Sequence, residues 1–237
     1  MVISTAGMAP SHGHQESATN CQECHQSHAP RCEGLAPGAL PAYGPGPMKT
    51  RDSGMPEAGY WNTFFNPEAV LRTLGLDQST GVIVDVGCGY GTFTLPAARL
   101  TGQRVIALDV ESDLVRQLAD RAQHEGLGHL VDVRHQDVAA QGTGLADAEA
   151  ATVFLFNLLH CEQPVDLLRE AHRILVSGGR VGVVHWRSDI ATPRGPDLSI
   201  RPKPSDCVRW LGEAGFTVAR PAVALPPYHF GLVGQRS

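Results

Sequence analysis

An α/β fold, a doubly wound and mostly parallel sheet closed by a C-terminal antiparallel hairpin, is expected from three features of the chain. Strand-like and helix-like segments alternate from residue 60 onward, and a glycine-rich turn separates the first of these strands from its helix. Alternating units connect by right-handed crossovers, which cover a parallel sheet on both faces. The last two strands are separated only by Pro226-Pro227, too few residues for a crossover, so they pair antiparallel.

The elements follow in order. Residues 67–76, PEAVLRTLGL, read as a helix leading into a strand at 82–87, VIVDVG. A helix at 91–100 leads to the strand RVIALDV at 104–110, and a helix at 112–126 leads to the strand VDVRHQD at 131–137. A short helical stretch is expected near Gly144, followed by the strand ATVFLFN at 151–157. The segment 163–175 is apolar at Val165, Leu168, Ala171 and Leu175, a helical period that buries one face. Gly178-Gly179 read as its stop signal, and the strand RVGVVHW follows at 180–186. A last helix at 205–214 precedes the two hairpin strands, 216–225 and 228–235.

Composition sets outer limits. The chain has 237 residues, 42% hydrophobic and 18% charged, which suits one globular domain with residues to spare at one end. A net charge of −5 argues against a dedicated nucleic-acid binder. No apolar run approaches the ~18–20 residues needed to span a bilayer. The opening MVISTAGMAP has neither the charged nor the continuous apolar stretch of a signal peptide. A soluble, cytoplasmic protein with a small-molecule substrate and no nucleic-acid or membrane partner is expected.

Residues 1–55 differ from 56–237. Counting Pro56, they hold seven of the seventeen prolines, and the stretch GLAPGALPAYGPGP at 34–47 reads as a flexible linker. A disordered or loosely ordered tail is expected there, with residues 1–47 dispensable for folding. Cys21, Cys24, His28 and Cys32 have a compact spacing that zinc accepts, so a metal-binding tail is the alternative. Cys21-Gln-Glu-Cys24-His25 also spells the c-type haem attachment pattern, which the lack of an export signal disfavours.

The sharpest motif is Asp85-Val86-Gly87-Cys88-Gly89-Tyr90-Gly91. Glycines here permit a tight turn and let backbone N–H groups approach a nucleotide closely. The dinucleotide fingerprint GxGxxG needs glycine where Thr92 stands, and Asp85 precedes the turn. A carboxylate there does little for a pyrophosphate but favours a ligand carrying an ammonium and a sulfonium. Asp109 closes the second strand, where a carboxylate can accept both ribose hydroxyls; the rival role is a helix cap. Asp137, after Gln136, closes the third strand, placed to accept from an adenine amino group.

At these residues the chain resembles the class I S-adenosylmethionine-dependent methyltransferases, over about residues 60–237, with a Rossmann-like sheet. DVGCGYG is similar to that family's first motif. The resemblance implies S-adenosylmethionine as cofactor, Asp85 near its methionine portion, Asp109 on the ribose and Asp137 at the adenine. It implies a cofactor shell of Gly87, Cys88, Gly89, Tyr90, Gly91, Val110 and Val138. The segment Asn157-Leu158-Leu159-His160 is similar to the fourth motif, with Asn157 where many relatives carry an acid. The general look is that of the small-molecule methyltransferases of quinone biosynthesis.

His160, just past the fourth strand, is the candidate general base, with a structural histidine as its rival role. His185 reads as a satisfied core residue, and Tyr228 and His229 as substrate contacts or hairpin packing. The connection 187–204 holds Arg187, Arg194, Arg201 and Lys203; a solvated surface loop is favoured over an anion clamp. The aromatic run at 60–65 is either a lid over the cofactor or core. A small-molecule methyltransferase is the function expected. A dinucleotide-dependent oxidoreductase and a non-catalytic metal-sensing protein with a methyltransferase-like domain are the alternatives.

Overall fold

The computed structural model describes residues 57–237. The candidate zinc ligands Cys21, Cys24, His28 and Cys32 lie outside the described residues. So does the expected boundary at residue 55.

The described chain opens with a one-turn helix α1 (Ala58–Trp61), a 3₁₀ turn (Asn62–Phe64) and helix α2 (Pro67–Leu74). Five strands joined by four helical crossovers follow: β1 (Ile83–Val86), α3 (Thr94–Thr101), β2 (Val105–Asp109), α4 (Ser112–His124), β3 (Val131–His135), α5 (Val138–Gln141), β4 (Ala150–Phe156), α6 (Pro164–Ile174) and β5 (Leu175–Trp186). Then come α7 (Pro204–Glu213), β6 (Phe216–Leu225) and β7 (His229–Arg236). The seven strands lie in the order β3-β2-β1-β4-β5-β7-β6. The first five are parallel, and β7 runs antiparallel to both β5 and β6. The doubly wound sheet and its closing hairpin are those read from the sequence.

The strands are near-continuous apolar runs because helices cover both faces of the sheet. On one face Val70, Leu71 and Leu74 of α2, Leu95 and Ala98 of α3 and Leu118 of α4 meet Ile83, Ala107, Phe154 and Val184. On the other, Leu168, Ala171 and Ile174 of α6 and Cys207 and Leu211 of α7 meet Val84, Ile106, Leu155 and Val183. Each fully buried Leu or Phe here stabilises the fold by about 1.5–3 kcal/mol.

Local signals set the helix ends. Asn66 caps α2 by accepting from the Ala69 N–H at 3.1 Å, Pro67 occupies its first position, and Gly75 ends it in the left-handed region. Two local expectations are corrected. Gly178-Gly179 does not stop α6, which ends at Ile174; Leu175 is already extended and pairs with Ala150. The register then shifts before Thr152 meets Arg180, with Gly178 at φ +75°, so the glycines serve a bulge inside β5. The short helix expected near Gly144 lies earlier, at α5, because Asp137 caps it through the Ala140 N–H.

Behind α5, Glu170 accepts from the backbone N–H and hydroxyl of Thr143 at 2.8 and 2.7 Å and pairs with Arg173. The Arg173 bonds, with those from Thr143, hold its carboxyl down at about 2, well below the usual carboxylate range. This network ties α6 to the loop before β4.

Candidate active site at the carboxyl ends of the strands

The glycine turn is held by the strand next to it. The N–H groups of Gly87 and Cys88 both donate to the carbonyl of Leu108, at 2.7 and 3.1 Å. The Gly89 N–H donates to Asp109 Oδ2 at 2.8 Å, and the Glu111 N–H donates to Asp109 Oδ1 at 2.9 Å. Gly87 and Gly91 lie at φ +68° and +76°. A Cβ on Gly87 would stand 2.9 Å from Leu158, so a side chain there is strained by both the backbone and the contact.

Asp85 faces the turn from inside the sheet, 3% exposed, and accepts from Thr94 Oγ1 at 2.5 Å. Burial pushes its carboxyl up to about 7; the Thr94 bond opposes this and the Asp109 charge adds to it. Asp109 is also pushed up by burial, against the N–H groups of Glu111 and Gly89. Two carboxylates thus stand around a glycine turn with too little water to stabilise both charges, an arrangement that favours a cationic ligand. Cys88 is buried beside them, and its thiol is pushed well above the usual range, by burial first and then by Asp85 and Asp109. At neutral pH it is no nucleophile. Tyr90 is half-buried, its hydroxyl pushed up by burial and by Glu111 and Glu57, while its carbonyl accepts from Arg121. Val110 is exposed, and its carbonyl meets His135 Nε2 at 2.9 Å.

The third acid stands differently from the expectation. β3 ends at His135, so Asp137 is not its last residue but the cap of α5, with Val138 half-buried at the first helical position. Gln136 donates from Nε2 to the Gly142 carbonyl at 2.8 Å. The capping preference of an acid before VAAQ accounts for the difference.

Past β4, Asn157 takes a left-handed backbone, φ +59°, and its Oδ1 is buried with no hydrogen-bond partner. Three residues on, His160 Nδ1 lies 3.2 Å from Nε2 of His185, whose own Nδ1 lies 3.3 Å from the Trp186 carbonyl. Burial, then the charge of Arg201, holds His160 below the usual imidazole range, and burial with His160 beside it takes His185 down to about 3. His185 is fully buried as expected, but its partner is the candidate base. The two hairpin residues also reach this edge: Tyr228 stacks on Trp186, and His229, 1% exposed, lies between Phe65 and Trp186 with ring centroids at 4.4 and 4.1 Å.

The aromatic run packs here too. Phe64 meets Trp186 and Tyr228, Phe65 meets Phe93, and Asn62 Oδ1 accepts from the hydroxyl of Thr92 at 3.1 Å. Phe64 and Phe65 thus pack as core against Trp186, Tyr228 and Phe93, and Asn62 ties the run to the glycine turn at Thr92.

The surface-loop expectation fails at Arg201. Arg187 behaves as a surface residue, paired with Asp189 at 2.7 Å, but Arg201 is 8% exposed. Its guanidinium donates to the carbonyls of Pro196, Arg187 and Arg194 and lies 5.8 Å from the Trp186 ring centre. A signal existed: Arg187, Arg194 and Lys203 each have an acid within three residues, and Arg201 has none. Among the described residues, no group of three or more His, Cys, Asp or Glu side chains could hold a metal, and no helix is long and apolar enough to cross a membrane.

Comparison with known proteins gives this geometry a family. Residues 83–179 match the family model described as a methyltransferase domain. An uncharacterised protein of Mycobacterium tuberculosis is 31% identical over 127 residues, covering 50% of this chain and 44% of that protein. The nocamycin O-methyltransferase of Saccharothrix syringae is 36% identical over 124 residues, covering 51% of this chain and 43% of the relative. The match thus spans less than half the length of these relatives. Among solved structures, a SAM-dependent methyltransferase from Aquifex aeolicus superposes with TM-score 0.65 at 24% identity, covering 73% of this chain and 91% of that one. A type 11 methyltransferase from Sulfolobus solfataricus, described there as putative, has TM-score 0.59 at 26% identity, covering 73% and 94%. Through the domain that carries the glycine turn and its acids, the chain is similar in sequence and fold to the class I S-adenosylmethionine-dependent methyltransferases.

Proposed function

We propose that the chain transfers a methyl group from S-adenosylmethionine to a small-molecule acceptor. The observation that carries this reading is the pair of buried carboxylates, Asp85 and Asp109, on either side of a turn whose backbone favours glycine. The residues fit the cofactor. Asp109 would hold the ribose hydroxyls, and Asp85 would face the methionine portion. The orphaned Oδ1 of Asn157 would accept from the ammonium group. When bound, S-adenosylmethionine supplies a methyl group made electrophilic by its sulfonium. The named relative acts on oxygen, and a hydroxyl acceptor must lose a proton as it is methylated. His160 is suited to take that proton: burial and Arg201 keep its imidazole neutral, and with Nδ1 engaged by His185, Nε2 is the accepting atom. His185 acts through His160 as a positioning residue.

Calorimetry with S-adenosylmethionine, S-adenosylhomocysteine and NAD tests the cofactor assignment. The first two are expected to bind with micromolar affinity and NAD not at all. Asp109→Ala is expected to weaken binding by about 1.5–3 kcal/mol, the worth of hydrogen bonds to a charged group. Binding of NAD, or full affinity in the variant, would count against the reading. His160→Ala is expected to lower methyl transfer by ~10²-fold or more while cofactor affinity holds. Labelled methyl groups transferred to the small molecules of a cell extract and resolved by mass spectrometry give the readout. Undiminished transfer returns His160 to a structural role.

A further inference from the structure

Arg201 makes no close ion pair; the charge of Asp197 acts on it only at a distance and against the larger effect of burial. A guanidinium has five N–H donors, and the three backbone carbonyls that it meets leave two unused. Among the described residues no carboxylate lies within ion-pair distance of it. The nearest acid along the chain, Asp197, is exposed and accepts from the N–H and hydroxyl of Ser199. Asp189 is taken by Arg187. The histidines at this edge, His160, His185 and His229, bring no negative charge. His229 adds a second deficit: both ring nitrogens are buried and meet no partner, although Phe65 and Trp186 pack against the ring.

Burying a charge or a polar ring without partners costs several kcal/mol in general, and folds retain such groups where a ligand completes them. The two observations are independent and sit together on one ring: the Arg201 guanidinium lies 5.8 Å from the Trp186 ring centre and the His229 ring centre 4.1 Å from it. We propose that Arg201 and His229 form the anion-binding subsite of the acceptor pocket, so that the methyl acceptor carries a carboxylate. This rests on the methyltransferase reading and names the substrate class within it. A planar carboxylate matches the two unused N–H groups of a guanidinium fork, and His229 supplies a third donor. Its charge also reverses the effect of Arg201 on the imidazoles. His229 is held down at about 3 by burial and Arg201 and is neutral when the subsite is empty. An anion beside it favours the imidazolium, so binding takes up a proton and tightens as pH falls. The same anion makes His160 a stronger base at the moment the acceptor is in place.

Benzoate is the probe. Titrated calorimetrically into the full chain at constant ionic strength, in two buffers of different ionisation enthalpy, it is expected to bind with Kd on the order of millimolar and with net proton uptake. Arg201→Gln is expected to weaken it about tenfold or more, while Arg187→Gln, a surface control, leaves it unchanged. His229→Phe keeps the ring packing and is expected to reduce the proton uptake to the share taken by His160, which preserves the test if Arg201→Gln does not fold. Absence of benzoate binding, equal binding in wild type and Arg201→Gln, or unchanged proton uptake in His229→Phe overturns the subsite. Inorganic phosphate binding more tightly than benzoate overturns the carboxylate assignment. S-adenosylhomocysteine is titrated in parallel: its failure to bind wild type sinks the cofactor reading, whereas its normal binding beside a failed benzoate titration sinks the subsite alone.

Discussion

Asp85→Asn is expected to raise the melting temperature of the ligand-free protein at pH 8, by about 5–10 °C, and to change it little at pH 5. The carboxyl is 3% exposed and its pKa stands at about 7 in the fold against an ordinary value of 3.8. The native state therefore holds this proton more tightly than the unfolded chain does. Its stabilising effect is complete below about pH 4 and is lost as pH rises through 7, a change of up to about 4 kcal/mol. Asparagine keeps the acceptor for Thr94 and removes the buried charge, at the cost of one poorly placed N–H₂ group of about 1–3 kcal/mol. The comparison is made by thermal denaturation of both proteins across pH 5–8. Equal differences at the two ends would mean that the substitution acts through packing and not through the charge.

The same substitution should move cofactor affinity the other way. A ligand bearing an ammonium and a sulfonium favours the ionised carboxylate, so the wild-type protein is expected to bind it more tightly at pH 8 than at pH 6. In Asp85→Asn that part of the pH dependence disappears and affinity falls. Stability and binding thus make opposite demands on one carboxyl.

Local patterns made most of the fold legible. Strand runs such as VIALD and VFLF are apolar on both faces, and the two-residue link Pro226-Pro227 allows only a hairpin, so sheet direction followed from connection length. The glycine turn and the acids Asp85 and Asp109 were legible for the same reason: their spacing is set within one βαβ unit. Misreadings came where one residue type has two local uses. Gly178-Gly179 suits a helix stop as well as a strand bulge, and the register of β5 against β4 decides between them. Asp137 suits a strand end as well as a cap. The pairing of His160 with His185 and the burial of Arg201 depend on side chains 25 and 14 residues from their partners, distances at which no sequence period operates. The dinucleotide alternative is answered locally: Thr92 stands where the fingerprint needs glycine, and its hydroxyl is bonded to Asn62.

Gly91→Ala is expected to cost about 2–5 kcal/mol of stability, from two sources of different kind. The position has φ +76°, and an L side chain in that region costs about 1–2 kcal/mol. The added Cβ would also stand 2.2 Å from Cδ1 of Leu118, and overpacking of a core by one carbon costs about 1–3 kcal/mol. Leu118 is 1% exposed on the inner face of α4, so turning it away displaces other side chains of the core cluster. A double-mutant cycle separates the two costs. In the Leu118→Ala background the clash is gone and only the backbone penalty remains, so a coupling of about 1–3 kcal/mol is expected in urea unfolding. A Gly91→Ala variant within ~0.5 kcal/mol of wild type would show that the turn and α4 are not packed as described. The turn cannot relax outward to absorb the methyl group without cost, because the Gly91 carbonyl starts α3 through the Leu95 N–H and the Gly91 N–H is bonded to Cys88. Any shift there draws the Gly89 N–H away from Asp109, and the variant is expected to lose cofactor affinity along with stability.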